Sequence, residues 1–261
     1  MKGDRRQQMM EYFLSHTKAT TQEVSDYFNI SIETVRRDFS GLEKEGFLKR
    51  VHGGAILNRN NRMPAAMAAW NVRMADHLRE KQAIAHEALK YIPDGSTIAL
   101  DSGTTMQIFA EQLAERKELT VITNCMHVAN VISMHTPHAV YMIGGLVKRD
   151  ELITTGYLAD DFLHHFSRVD LAIIATDGFD AKLGPTDHSA ETSMIKRSFI
   201  QKANKTLCLI DHSKFSINAL FTTLSNEEQL DLCITDSLIQ PEELERLRSF
   251  SRQVVVVDAI S

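Results

Sequence analysis

The sequence predicts an α/β chain in two parts, and three observations carry that expectation. Charge is divided unevenly: residues 1–62 hold 11 Lys and Arg against 8 acids, a net +3, while the remaining 199 residues carry −8, making the whole chain −5. The first sixty residues carry three short helical patterns and then an alternating stretch around a glycine pair. From residue 77 onward, apolar runs of strand length alternate with helical patterns. The expected divisions are a head at 1–57, a linker at 58–75 and a body at 76–261.

In the head, RRQQMMEYFLSH places Met9, Met10, Tyr12, Phe13 and Leu14 at helical spacing. In TTQEVSDYFNI, Thr20 or Thr21 can cap a second helix, with Glu23 in its first turn. Val24, Tyr27 and Phe28 supply its apolar positions, and Asn29 suits a left-handed end. Ser31 can cap a third helix in which Ile32, Val35, Phe39 and Leu42 share one stripe. At about 100° per residue, Arg37 points almost directly away from that stripe and Arg36 lies on its flank. Gly46 stops the helix, and FLKRVHGGAIL then alternates around a turn at His52-Gly53-Gly54.

Three short helices followed by a β-hairpin describe a winged helix-turn-helix. A DNA major groove admits one helix, and arginine can donate two bonds to one guanine. Arg37 is therefore expected at bases and Arg36 at a phosphate, with Ser31 and Thr34 beside them at the helix start. Lys49, Arg50, His52 and Gly53 of the hairpin would meet the backbone or minor groove. The plain alternative is a solvated helix surface, its arginines ion-paired locally with Glu33 and Asp38. Against it stands the stretch from Gly46 to Ala75, which has no acid but holds Lys49, Arg50, Arg59, Arg62 and Arg73.

The linker turns at Pro64 from a polar, basic stretch to small residues, methionines and the only tryptophan, Trp70, expected in the core or at a domain or subunit contact. In the body, strands are expected at STIALDSGTT, LTVITN, AVYMIGG, LAIIATDG, TLCLIDHS, LCITD and QVVVVD. Helices are expected at HLREKQAIAHEALKYI, TTMQIFAEQLAE, SAETSMIKRSFIQKA and PEELERLRS. Such alternation implies an open, mostly parallel sheet covered on both faces, and ligands of such sheets bind beyond the carboxyl ends of the strands. At those ends lie Asp101-Ser102-Gly103-Thr104-Thr105, Thr123-Asn124, Gly144-Gly145, Asp177-Gly178 and Asp211-His212-Ser213-Lys214. Backbone N–H groups where Gly103 opens a helix, with the hydroxyls of Ser102, Thr104 and Thr105, suit a phosphate. Lys214 offers a cation, and Asp101, Asn124, Asp177 and Asp211 offer acceptors for sugar hydroxyls.

Composition removes other classes. The start, MKGDRRQQMM, lacks the apolar core of a signal peptide, and no apolar run approaches bilayer length, so a cytoplasmic protein without a membrane partner is expected. Cys125, Cys208 and Cys233 stand apart and are expected as reduced core residues. The eleven histidines show no ligand spacing, so no metal and no cofactor are expected.

The stretch TVRRDFSGLEKEGFLKRVHGGAIL resembles the N-terminal signature of the DeoR/GlpR family of bacterial transcriptional regulators, with its Arg-Arg-Asp recognition helix and His-Gly-Gly wing. Val35 and Phe39 stand where Ile and Leu are common, and both keep the apolar stripe. REKQAIAHEAL, IALDSGTT, VITN, IGG, GPT, IDHSKF and ITD are similar, in order, to the sensor domain of that family. The resemblance implies a sensor with the sugar-phosphate-isomerase fold seen in ribose-5-phosphate isomerase-like enzymes. It also implies repression as the mode of action and a phosphorylated sugar as effector, with Lys81, Asp211 and Lys214 as effector-response positions. Where the family usually has an Asp-Gly-Ile-type segment, this chain has Asp177-Gly178-Phe179, whose bulky Phe179 would alter which sugar fits. Trp70 and Arg73 match a family aromatic and arginine loosely.

Two functions follow from different classes. One is a repressor that binds double-stranded operator DNA, acts as a homodimer or homotetramer, and is released by a phosphorylated sugar. The other is a sugar-phosphate isomerase with an accessory basic head, in which Asp177 or Asp180 acts as base beside Lys214. An isomerase has no use for Arg36, Arg37 and the wing, so the first is preferred and no catalytic residue is assigned.

Overall fold

The computed structural model describes residues 5, 9–10, 12–13, 16–44, 46–58, 70–149, 151–180, 182–224 and 229–259. The bulk of the chain divides into two compact units between Asp76 and His77. The head contains β1 (Lys18–Thr20), α1 (Thr21–Phe28), α2 (Ile32–Lys44), β2 (Leu48–Val51) and β3 (Gly54–Leu57). Residues 5, 9, 10, 12 and 13 are helical, while Leu14 lies outside the described residues.

Thr20 is the cap of α1. Its hydroxyl accepts from Glu23 N–H at 3.1 Å, and its own N–H donates to the Glu23 carboxylate at 2.7 Å, a reciprocal capping box. Asn29 ends the helix in the left-handed region, φ 51° and ψ 50°. Val35, Phe39 and Leu42 of α2 are buried with Met9, Phe13, Val24, Phe47 and Leu48, and the rings of Phe13 and Phe39 meet edge-on at 5.5 Å. Ile32 departs from the expected stripe and is 39% exposed, because it opens the helix ahead of the turn that reaches the core. β2 and β3 form the expected hairpin, with Val51 opposite Gly54. β1 adds a third strand antiparallel to β3. Its three residues, Lys18-Ala19-Thr20, are too short to announce themselves by alternation.

The body runs α3 (Leu78–Leu89), β4 (Thr97–Leu100), α4 (Thr104–Gln112), β5 (Thr120–Thr123), α5 (Met126–His135), β6 (Ala139–Met142), β7 (Leu146–Lys148), β8 (Ile153–Thr155) and α6 (Tyr157–His164). It continues through β9 (Val169–Ile174), β10 (Gly178–Asp180), β11 (Gly184–Asp187), α7 (Ala190–Lys202), β12 (Ala203–Leu209), β13 (Phe221–Thr222), β14 (Leu232–Asp236), α8 (Pro241–Phe250) and β15 (Val254–Val257). The main sheet has seven strands in the order β15-β14-β12-β9-β4-β5-β6, the seven that the apolar runs predict. Every neighbouring pair is parallel. Helices α3, α4 and α5 cover one face, and α6, α7 and α8 the other. The central strands, buried on both sides, need apolar residues at nearly every position, which is why they stand out as runs such as Leu-Ala-Ile-Ile.

Two smaller assemblies are additions to the expected fold: the hairpin β7–β8 and an antiparallel sheet ordered β10-β11-β13. Helices α5 and α6 are also additions. The MHVANVISMH of α5 buries Val128, Val131 and Ile132, whose β-branched side chains read as strand as readily as helix. Residues 59–69 of the expected linker lie outside the described residues, and 70–75 are helical. Trp70 there is 5% exposed with the Arg73 guanidinium 5.6 Å from its ring centre. The three cysteines are free and buried. Among the described residues no helix is long and apolar enough to cross a membrane.

Phe39→Ala is expected to destabilise the head by about 3–5 kcal/mol, since a fully buried ring is removed from beside Phe13. Hydrogen exchange of the head amides reads this directly. Unchanged protection there would show that Phe39 is not central to the head's core.

Candidate functional site

On the head, the Ser31 hydroxyl accepts from Thr34 N–H at 3.3 Å and lies 2.9 Å from the Thr34 hydroxyl, so Ser31 caps α2. Arg36 and Arg37 are exposed, and among the described residues neither takes part in an ion pair. Asp38, which would neutralise them locally, instead accepts from Arg5 Nε at 3.0 Å. Lys49, Arg50, His52 and Gly53 are all exposed. Arg50 clasps the hairpin to α2: its backbone N–H donates to Glu43 Oε1 at 2.9 Å and its Nη1 to the Ser40 hydroxyl at 3.0 Å. The helix and the hairpin tip thus present one fixed, positively charged surface.

In the body, parallel alignment brings the carboxyl ends of β4, β5, β6, β9 and β12 to one edge of the sheet. Just beyond them stand Asp101, Asn124, Gly144, Asp177 and Asp211 in turn. Gly103, at φ 116°, opens α4 in a conformation that favours glycine, and no side chain caps that helix. Ser102 and Gly103 are half-buried beside the buried Thr104 and Thr105. Asn124 is 1% exposed; its Nδ2 donates to Thr154 O at 3.1 Å, while its Oδ1 has no hydrogen-bond partner among the described residues. A buried acceptor without a partner is a place where a ligand group gains. Lys214 is half-buried, with its ammonium in no ion pair among the described residues.

Several expected site residues serve the backbone instead. Thr123 is fully buried and its hydroxyl accepts from Cys125 N–H at 3.1 Å. Asp211 is 1% exposed and caps the turn at 212–216, accepting from Ser213 N–H at 3.1 Å and from the Ser213 hydroxyl. Asp177 is exposed, and its Oδ2 accepts from His188 N–H at 3.0 Å. Gly178 is required by close approach, since a Cβ there would meet Ile217 O at 2.1 Å. Gly144 is exposed and Gly145 half-buried beside the β8 backbone. Lys81, on α3, is 3% exposed. The Phe179 side chain turns into the core against Phe215 and Phe250, with ring centres at 5.1 and 5.5 Å, so it is a packing residue and not a wall for a sugar.

Two features escape the sequence reading. Lys196 of α7 is 2% exposed, and its Nζ donates to Ala175 O and Asp187 Oδ1, each at 2.6 Å, and lies 3.2 Å from Asp101 Oδ2. Burial opposes its charge, but the carboxylates of Asp101, Asp187 and Asp177 outweigh that and hold its pKa above the ordinary lysine value. Burial pushes Asp101 up to about 6, with Lys196 opposing and Asp187 adding. Protonated Asp101 therefore favours the folded chain: that contribution is full below pH 3.8 and is lost as pH rises through about 6. The available signal was a lysine inside the buried stripe Thr192, Lys196, Phe199. The second feature is His212, whose Nδ1 lies 2.9 Å from Oδ1 of the fully buried Asp236 and whose N–H donates to Asp236 Oδ2 at 2.8 Å.

Two family models match this chain: a DeoR-like helix-turn-helix domain over residues 5–61 and a DeoR C terminal sensor domain over 76–237. The chain belongs to the DeoR family of transcriptional regulators. Among its relatives in that family, the HTH-type transcriptional regulator YulB of Bacillus subtilis is 32% identical over 98% of this chain and 96% of its own. The Glycerol-3-phosphate regulon repressor of Escherichia coli is 29% identical over 84% of each chain. The solved structure of ribose 5-phosphate isomerase A from Methanocaldococcus jannaschii is similar at 19% identity over 52% of this chain and 53% of that one, with a TM-score of 0.38. In this DeoR-family chain the basic helix and wing lie within the matched helix-turn-helix domain, and the sheet edge with Lys196 within the matched sensor domain.

Lys196→Met is expected to destabilise the sensor by about 3–5 kcal/mol, because two buried carboxylates lose their counter-charge. Denaturant unfolding of the full chain measures it; a loss below about 1 kcal/mol, typical of a surface position, would remove Lys196 from any supporting role.

Proposed function

We propose that this DeoR-family protein is a transcriptional repressor of a sugar-catabolism operon, bound to double-stranded operator DNA through residues 1–57 and released by a phosphorylated sugar held in residues 76–261. The observation that carries the effector reading is the uncapped start of α4 at Gly103, on the same sheet edge as the unpartnered Asn124 Oδ1. Backbone N–H groups there attract a dianion, and Lys214 supplies a counter-charge. One relative is named for a glycerol-3-phosphate regulon, a phosphorylated polyol. For release, the sugar phosphate must bind the arrangement that does not hold DNA more tightly than the one that does. Pairing of heads in a homodimer or homotetramer raises affinity for repeated half-sites by linkage.

The isomerase alternative is disfavoured by the carboxylates it needs. Asp180 Oδ1 already accepts from Lys182 and Leu183 N–H at 2.7 and 3.0 Å, and Asp177 accepts from His188. Both carboxylates are thus engaged in holding their own loops rather than facing a substrate carbon.

Arg37→Ala is expected to weaken specific operator binding by about 1–3 kcal/mol. Fluorescence anisotropy on a labelled fragment from upstream of the protein's own operon checks it, and unchanged affinity and selectivity would take Arg37 out of base reading. Adding a panel of sugar phosphates, with the unphosphorylated sugars as controls, tests the effector class. Lys214→Ala is expected to bind the fragment normally yet need more of the active sugar phosphate for release; release at the wild-type concentration would misplace the phosphate.

A further inference from the structure

The Lys196 ammonium joins three stretches of the chain directly and a fourth through Asp187. It bonds Ala175 O beyond β9 and Asp187 at the end of β11, and pairs with Asp101 at the end of β4. Asp187 Oδ2 in turn accepts from the Thr223 hydroxyl, just after β13, at 2.6 Å. Asp101 Oδ2 also accepts from Ala175 N–H at 3.1 Å. Asp101 is the residue from which Ser102-Gly103-Thr104-Thr105 departs, so the cluster sets where that loop begins. Its charge does not balance. Two buried carboxylates share one ammonium, leaving one excess negative charge when all three are ionised. Facing Asp101 are Lys196 from α7, Asp187 from β11, and the buried thiols of Cys125 and Cys208; Asp177 from the β9 end adds a further negative charge close to Lys196. The ammonium is the one cation among these groups.

We propose that Lys196, Asp101 and Asp187 are positioning residues of the effector site, and that a dianion on the 102–105 loop arrives together with one proton on their carboxylates. The inference rests on the reading of that loop as the phosphate site. A dianion bound beside a buried, negatively charged cluster is repelled, at short range and low dielectric. One proton on Asp101 removes the excess and leaves Lys196 paired with Asp187. The dianion raises the cluster's proton affinity in return, because linkage is reciprocal. Asp101 is the site for that proton: of the two carboxylates competing for the ammonium it is the more distant, at 3.2 Å against 2.6 Å for Asp187, and burial already raises its carboxyl to about 6.

Sulfate is the probe, since it keeps two negative charges across the range in which inorganic phosphate itself titrates. The apparent sulfate dissociation constant of the full chain is taken from the rise in thermal midpoint with low-millimolar sulfate, against chloride at equal ionic strength, from pH 5 to pH 8. For the wild type, affinity is expected to fall by up to about tenfold per pH unit as pH rises above the Asp101 transition, the slope of one linked proton. In Asp101→Asn, which keeps the shape and removes the titrating charge, the sulfate effect is expected to be flat with pH. A wild-type profile that is flat while sulfate still stabilises overturns the proton linkage and leaves the loop as an anion site. A slope that persists unchanged in Asp101→Asn places the proton elsewhere and also overturns it. No stabilisation by sulfate at any pH removes the phosphate reading itself, and the inference with it. The wild-type profile alone decides the linkage if the variant does not fold.

Discussion

The edge of the sensor sheet depends on one ammonium group. Lys196 is surrounded by Asp101, Asp187 and the carbonyl of Ala175, and each of these ends or follows a different strand. Moving a lysine and two carboxylates out of water costs several kcal/mol per charge, which is recovered only when geometry is good and the remaining lone pairs are met. Here they are met, by Ala175 N–H on Asp101 and by the Thr223 hydroxyl on Asp187. Apolar residues of similar volume would stabilise the fold as well or better. What they would not do is fix the relative position of the start of the 102–105 loop, the β9 end and the small antiparallel sheet. The cluster is best understood as a device for placement.

Placement matters because the elements it joins are individually slight. β10, β11 and β13 have two to four residues each, and the 102–105 loop turns on a single glycine. Short strands bury little apolar surface of their own. Phe179 of β10 supplies part of the remedy, meeting Phe215 at a tilt and Phe250 edge-on. The ammonium supplies the rest from the polar side. Between them the ring cluster and the ion cluster pin β10 and β11 to the main sheet.

The seven strands of the main sheet were legible because each is an apolar run rich in Val, Ile and Leu, as the central parallel strands covered on both faces require. α2 was legible for the opposite reason, since its single stripe makes the 3.6 period visible and sets Arg37 outward. β1, β7, β8 and the small sheet were not, because they are short and lack a dense apolar run, as in Lys-Ala-Thr of β1 and Gly-Pro-Thr-Asp of β11. At the site, strand-end position was legible but not the use to which each side chain is put. Asp211 and Thr123 look like ligand groups from spacing alone, yet adjacent backbone N–H groups claim them first. Lys196 was hidden by the opposite habit, in which a lysine on a helix is taken for a solvated one.

The clasp of Arg50 on Glu43 and Ser40 carries a consequence for the operator itself. On the proposed reading of helix and wing as the DNA-contacting surface, their fastening would make the head measure a half-site as a ruler of fixed length. A wrong base at one position removes one contact and leaves the others aligned. An inserted or deleted base pair between the helix and wing contacts displaces one set by about 3.4 Å along the strand, beyond hydrogen-bond reach. Sequence drift within a half-site is then graded in its effect, whereas a change of length is abrupt. Operators of a protein that binds as proposed would vary in letters far more freely than in spacing.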